Sequence, residues 1–262
     1  MSPDLDTQDL TDDAVLGGRL SILQPRVGHR AGHDAILLAA ATAATGGNHA
    51  VDLGAGVGTA GLALATRVDG VSVTLVDIDS NLVTLARENA ARNRLANRVF
   101  AVTLDVAAPQ HTVGDLATGS ADHVLMNPPF NDPSRQHVSP DARRRVAHCS
   151  SREMLVSWMR TAGRILRPGG TVTLIFRADG IGDVLQALGT GFGAIAVRPI
   201  YAKPSASAIR ILTRAVKSSR APTSLRPGFL LNGADGRPTA EAEAVLRGGA
   251  PLPFDPAEQL PR

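Results

Sequence analysis

The sequence predicts an α/β fold, a mostly parallel sheet covered by helices on both faces, and three observations predict it. Across residues 46–213, short β-branched runs alternate with Ala- and Leu-rich stretches of helical period, the mark of strand–helix repeats. One such strand runs into a glycine-rich turn at the mouth of a helix, Gly54-Ala55-Gly56-Val57-Gly58. With 262 residues and 44% apolar content there is material for one large core. Aromatics are only 3%, so that core must rest on Ala, Val, Leu and Ile.

Taken in order, residues 1–14 are acidic and without period, and read as a disordered tail. Residues 15–216 read as the main domain, opened by a helical segment over 15–46. Strands are expected at 49–53, 71–76, 99–104, 123–126, 171–176, 195–200 and 208–212, and helices near 60–67, 81–93, 152–166 and 182–188. Asp79 or Ser80 can cap the second of those helices, and Arg167-Pro168-Gly169-Gly170 stops the third. No long helix separates the last two strands, so they should form a terminal antiparallel hairpin. Residues 217–262 read as an extension packed on the same domain, with a short helix over 240–246.

Composition excludes several classes. A single cysteine, Cys149, rules out a disulfide framework and a Cys-based zinc site. The seven histidines show no metal spacing, so no metal is expected. The acidic start is the opposite of a targeting peptide, and the most apolar run, 35–44, falls short of the roughly 20 residues that span a bilayer. A soluble, cytoplasmic protein is expected, with no membrane partner. Net charge is +3, but 15 Lys/Arg against 4 Asp/Glu lie between Arg135 and Arg220. That excess suggests a basic face for phosphate backbones, or simply Arg-rich solvated helices.

The glycine turn admits two ligands. Gly56-Val57-Gly58-Thr59-Ala60-Gly61 is a literal GxGxxG with Asp77 about 20 residues on, as a dinucleotide site requires. Asp52, just before the first glycine, would set a like charge against a pyrophosphate. It suits a ligand carrying a sulfonium and an ammonium. Asp105 offers an acceptor for an adenine amino group, and Asp77 can take ribose hydroxyls in either case. These features favour S-adenosyl-L-methionine over a nicotinamide cofactor, while Asp52 and Asp105 are also common turn residues.

The fourth strand runs into Asn127-Pro128-Pro129-Phe130. Two prolines remove two donors and stiffen the segment. The Asn127 side-chain oxygen and the Pro128 carbonyl can then accept both hydrogens of a planar amine, and Phe130 offers a face on which a base stacks. Two acceptors pull a delocalised amine towards tetrahedral geometry and make its nitrogen a better nucleophile. The bland alternative is a rigid turn with Phe130 in the core. Arg143, Arg144 and Arg145 follow; they are expected on a loop flanking the target base, there to grip RNA phosphates. Trp158, at helical spacing from Leu155 and Ala162, reads as core.

The stretch 51–58, Asp77, Asp105 and Asn127–Phe130 resemble the motifs of class I S-adenosylmethionine-dependent methyltransferases of the amino-methylating branch. That resemblance implies a Rossmann-like, seven-stranded sheet whose last strand is reversed. It implies a cofactor held by Asp52, Gly54, Gly56, Gly58, Asp77, Asp105 and Asn127. A closer resemblance is to bacterial enzymes that methylate N6 of adenine 37 in a valine tRNA. It rests on Gly28-His29-Arg30, residues 34–38, Ser139-Pro140, the Arg-rich stretch to His148, and segments 215–222, 235–237 and 241–249. It implies a tRNA partner, and that Arg30 or Asp34 closes over the methionine end. Phe130 stands where many relatives carry Tyr, and His33 where Thr or Ser is expected. The same tetrapeptide also serves enzymes acting on guanine N2 of ribosomal RNA or a glutamine amide of release factors. Asn131 replaces the His frequent in the ribosomal group.

Overall fold

A hairpin of β1 (Leu10–Val15) and β2 (Leu20–Pro25) comes first, then α1 (His33–Ala41). Strand and helix alternate through β3 (His49–Leu53), α2 (Thr59–Arg67), β4 (Ser72–Asp77), α3 (Ser80–Arg92) and β5 (Val99–Thr103). There follow β6 (Ala121–Met126), α4 (Pro140–Ile165), β7 (Leu166–Arg177), α5 (Ile181–Leu188), β8 (Phe192–Tyr201) and β9 (Ala208–Lys217). Short strands β10 (Ser224–Leu225) and β11 (Phe229–Leu230), with α6 (Ala240–Leu246), complete the chain. This computed structural model describes residues 10–27, 32–108, 116–129 and 140–255, the side chains of 140–151 excepted.

The main sheet has the order β5-β4-β3-β6-β7-β9-β8. All seven run parallel except β9, which is antiparallel to β7 and β8. This is the expected seven-stranded arrangement with its reversed hairpin. It is widened by two short strands, because β10 and β11 both pair with β8 and bring the count to nine. From β3 the chain winds outward one way to β4 and β5, and from β6 it winds the other way. The ends of β3 and β6 therefore adjoin, Leu53 beside Met126, at the point where ligands bind in open α/β sheets. β3 is buried from Ala50 to Leu53, as a central strand covered on both faces should be. Asp79 proves to be the cap of α3, its side chain accepting from Asn81 N–H at 2.8 Å.

The N-terminal region corrects two expectations. Residues 10–14, within the stretch read as a disordered tail, belong to β1, and the segment read as helical holds β2 before α1. β2 alternates, burying Leu20, Ile22 and Gln24. Its second edge meets two side chains of α3 in place of a strand. Asn89 accepts from Leu23 N–H at 2.8 Å and donates to Leu23 O at 2.9 Å. Asn93 does the same with Ser21 N–H and O, at 3.0 and 2.7 Å. The acidic residues that made β1 look disordered have partners too: Asp12 pairs with Arg92, and Asp13 accepts from Gln24 at 2.7 Å.

Part of the basic excess of 135–220 is engaged within the chain, among the described side chains. Arg152, Arg167, Arg177 and Arg210 pair with Asp183, Asp122, Asp179 and Asp34. Arg198 donates to Pro227 O and Pro253 O, Lys217 to Leu166 O, and Arg214 lies over the Phe254 ring. Among the described side chains of that segment, Arg160, Lys203 and Arg220 are left without a partner.

Candidate active site

A cavity of about 270 Å³ opens at the junction of β3 and β6. Its walls come from the ends of β3, β4, β5 and β6, the first turn of α2, and single residues of α1, α3 and α4. Asp52, Gly54, Gly56, Asp77, Asp105 and Asn127, six of the residues singled out by pattern alone, line it together.

Asp52, next to last in β3, is almost without solvent contact, 2% exposed, and its Oδ2 accepts from Gly61 N–H at 2.9 Å. Burial pushes its carboxyl up to about 7; the Gly61 bond opposes this and the neighbouring Asp77 adds to it. The chain then turns through Gly54 at a positive φ of 71°, where any side chain would collide with the Trp158 ring. Gly56 N–H donates to Asp77 Oδ2 at 2.7 Å, and Asp79 N–H to Asp77 Oδ1 at 3.0 Å. Asp77 thus braces the glycine turn while lone pairs remain for a ligand. Gly58 is absent from the lining. It caps α2, and a Cβ there would stand 2.7 Å from Leu75 Cδ1, so this glycine serves helix–strand packing. Asp105 is both a turn residue and a lining residue, its Oδ1 accepting from Ala107 N–H at 2.8 Å.

On the facing side Asn127 is half-buried, and its Oδ1 is shielded from solvent yet accepts no hydrogen bond. An unmatched buried acceptor costs roughly 1–3 kcal/mol. A half-turn of the amide exchanges oxygen and nitrogen within nearly the same volume. Pro128 is buried outside the lining, whereas Pro129 is exposed and lines the cavity. Phe130 and Arg30 lie outside the described residues. Arg143, Arg144 and Arg145 fall in α4, and their side chains are outside the description as well. Asp34 is not in the lining: its carboxylate accepts from Arg210 Nε at 2.8 Å, and its neighbour Ala35 reaches the cavity instead.

Sequence reasoning missed the apolar wall and one hydroxyl. Ile78, 66% exposed, follows Asp77 and joins Leu82 and Val106 in the lining. Trp158, read as core, is 8% exposed and also lines the cavity. The signal for Ile78 was its place one residue after the strand-end carboxylate. Trp158 carried no local signal, because its helical spacing is the same for a core residue. Thr59 lines the cavity too, and its Oγ1 is buried without a partner.

These groups fit S-adenosylmethionine. A buried carboxyl suits a cationic end, a braced carboxylate suits hydroxyls, and an apolar wall suits a purine. A pyrophosphate would meet Asp52 in its way. Among the described residues no group of three or more His, Cys, Asp or Glu side chains could hold a metal, and no helix is long and apolar enough to cross a membrane.

Comparison with known proteins agrees with that reading. The family described as "Methyltransferase small domain" matches residues 32–186. A release factor glutamine methyltransferase of Chlorobaculum tepidum is 27% identical over 159 residues, covering 58% of this chain and 53% of the relative. A tRNA1(Val) (adenine(37)-N6)-methyltransferase of Aeromonas hydrophila is 30% identical over 151 residues, covering 57% and 60%. The chain thus matches little more than half the length of either relative. The crystal structure of a predicted O-methyltransferase from Agrobacterium tumefaciens aligns at a TM-score of 0.72 and 27% identity, over 84% of this chain and 98% of that one.

Proposed function

Because the chain belongs to the methyltransferase small domain family, whose cofactor is S-adenosylmethionine, we propose that it methylates the exocyclic N6 amine of an adenine in RNA, a tRNA near the anticodon above all. The observation that carries this reading is the unmatched Asn127 acceptor on the wall of the cavity that also holds Asp52, Asp77 and Asp105. A site that accepts and offers no acid nearby on that wall calls for an N–H donor. The relative from Aeromonas hydrophila, named for an adenine N6 in tRNA, supports the finer assignment.

The bound cofactor supplies an electrophilic methyl group on a sulfonium. Asn127 and the Pro128 carbonyl take the two amine hydrogens and keep the nitrogen lone pair free for an in-line approach. Alignment and fixed dipoles then provide most of the acceleration. Phe130 carries the base by stacking, with Tyr an acceptable replacement and Ala not. Asp77 holds the ribose, Asp105 the adenine amine of the cofactor, and Asp52 its cationic end. The methylated nitrogen loses its proton to water, since Asn127-Pro128-Pro129-Phe130 contains no base. A target base within a stacked loop must be unstacked first, at a few kcal/mol.

The relative from Chlorobaculum tepidum favours a second reading, a glutamine amide of a release factor, which also presents a planar NH₂. One experiment separates them. The purified chain is incubated with labelled cofactor and either RNA from cells lacking the protein or release factors, and products are analysed by mass spectrometry. N6-methyladenine is the expected product. N2-methylguanine, or label in protein only, replaces the proposal with the corresponding alternative.

A further inference from the structure

One helix touches two of the loops that line the cavity. On α4, Trp158 lies against the glycine turn at Gly54, and two hydroxyls of the same helical face reach the loop after β5. Thr161, 1% exposed, donates from Oγ1 to Val106 O at 2.8 Å, and Ser157 from Oγ to Ala107 O at 3.1 Å. Both carbonyls belong to a tight turn that begins at Asp105. Ala107 N–H reaches Asp105 Oδ1 at 2.8 Å, and Ala108 N–H reaches Asp105 O at 3.2 Å. The carboxylate and the carbonyls gripped by α4 are thus one small unit, and a shift of its main chain carries the carboxylate along.

A hydroxyl inside a helix commonly turns back to the carbonyl four residues earlier. Thr66 does so with Leu62 O, and Thr84 with Ser80 O. Thr161 reaches out of its helix instead, in a core where Val106 and Trp158 are both buried. A valine would fill the same space. What the hydroxyl adds is a fixed distance between α4 and the Asp105 turn. We propose that Thr161, with Ser157 beside it, is a positioning residue that sets the site's preference for adenine as the base of its cofactor. The proposal rests on the reading that Asp105 accepts from the exocyclic amine of that base. An ionised carboxylate only accepts, so it takes the N–H of adenine and repels the oxygen that hypoxanthine carries there. That choice weakens steeply once the acceptor drifts out of hydrogen-bond range.

The test measures a ratio of affinities on the full chain. Trp158 is the sole tryptophan and lines the cavity, so its fluorescence reads binding without turnover. The ligands are S-adenosylhomocysteine and S-inosylhomocysteine, which differ at that amine. The parent should prefer the adenine ligand at least about tenfold, the worth of one hydrogen bond to a charged group. Asp105→Ala should abolish the preference. Thr161→Val should lower it to about threefold or less, with the loss on the adenine ligand, and Thr161→Ser should restore it. A parent without preference, or one whose preference survives Asp105→Ala, overturns the reading of Asp105 and the proposal with it. If Asp105→Ala abolishes the preference while Thr161→Val keeps it, or weakens both ligands equally, the role of Thr161 alone is overturned. Should Thr161→Val melt too early to titrate, Ser157→Ala carries the same comparison with a smaller expected loss.

Discussion

The two sides of the cavity are built on different principles. On the side formed by β3, β4 and β5, every carboxylate already accepts a main-chain N–H: Asp52 from Gly61, Asp77 from Gly56 and Asp79, Asp105 from Ala107. On the β6 side the Asn127 oxygen accepts nothing. The carboxylates of the first side are held in place by their own backbone before any ligand arrives. The second holds an acceptor that only an incoming donor can satisfy. A preorganised seat facing an unsatisfied acceptor is what differential binding of a transferring pair requires.

The sharpest way to break this comparison is to remove the unsatisfied side. Asn127→Ala should lower the rate constant for transfer at least about a hundredfold, while S-adenosylmethionine affinity, read by Trp158 fluorescence, stays within about threefold. Retained turnover would mean that Asn127 does not hold the acceptor. Asp77→Ala reverses the pattern. It removes a ligand group and a brace of the glycine turn, so cofactor affinity should fall roughly tenfold to a hundredfold by calorimetry, with a smaller change in the rate at saturation.

The gentlest test uses pH. The Asp52 carboxyl, near 7 in the folded chain against an ordinary 3.8, keeps its proton when folded at pH values where the unfolded chain has released it. Folding stability from this group is therefore greatest in acid, falls as pH rises through that interval, and is flat above about 7. Asp52→Asn should accordingly melt higher than the parent at pH 7.5, with the gap closing towards pH 4. Cofactor binding runs the other way. A cationic ligand favours the ionised carboxylate, so the parent's affinity should rise by up to about tenfold per pH unit towards 7 and then level. A dissociation constant independent of pH would separate Asp52 from the cationic end.

Legibility divided along similar lines. β3 and α6 match their expected bounds, and the glycine turn and strand-end carboxylates fall where their patterns put them. Each is a local signal: alternation, a capping residue, a turn that only glycine tolerates. β1 was hidden because Asp12 and Asp13 lower its apparent propensity, and their compensation comes from Arg92 and Gln24. β2 depends on Asn89 and Asn93, more than 60 residues along the chain. A count of charges likewise does not reveal that Arg210 closes on Asp34 or Arg198 on Pro253 O.

By itself, then, the amino-acid order determined the alternating layers, the turn at Gly54 and the stiff Asn-Pro-Pro segment, because these follow from periodicity and from backbone restrictions within a few residues. Only the tertiary structure decided that Asp52 and Asn127 share one cavity, that Trp158 and Thr59 help to wall it, and which arginines are already engaged. Those outcomes rest on strand order and on side chains meeting across long loops, and packing rather than local preference selects such partners.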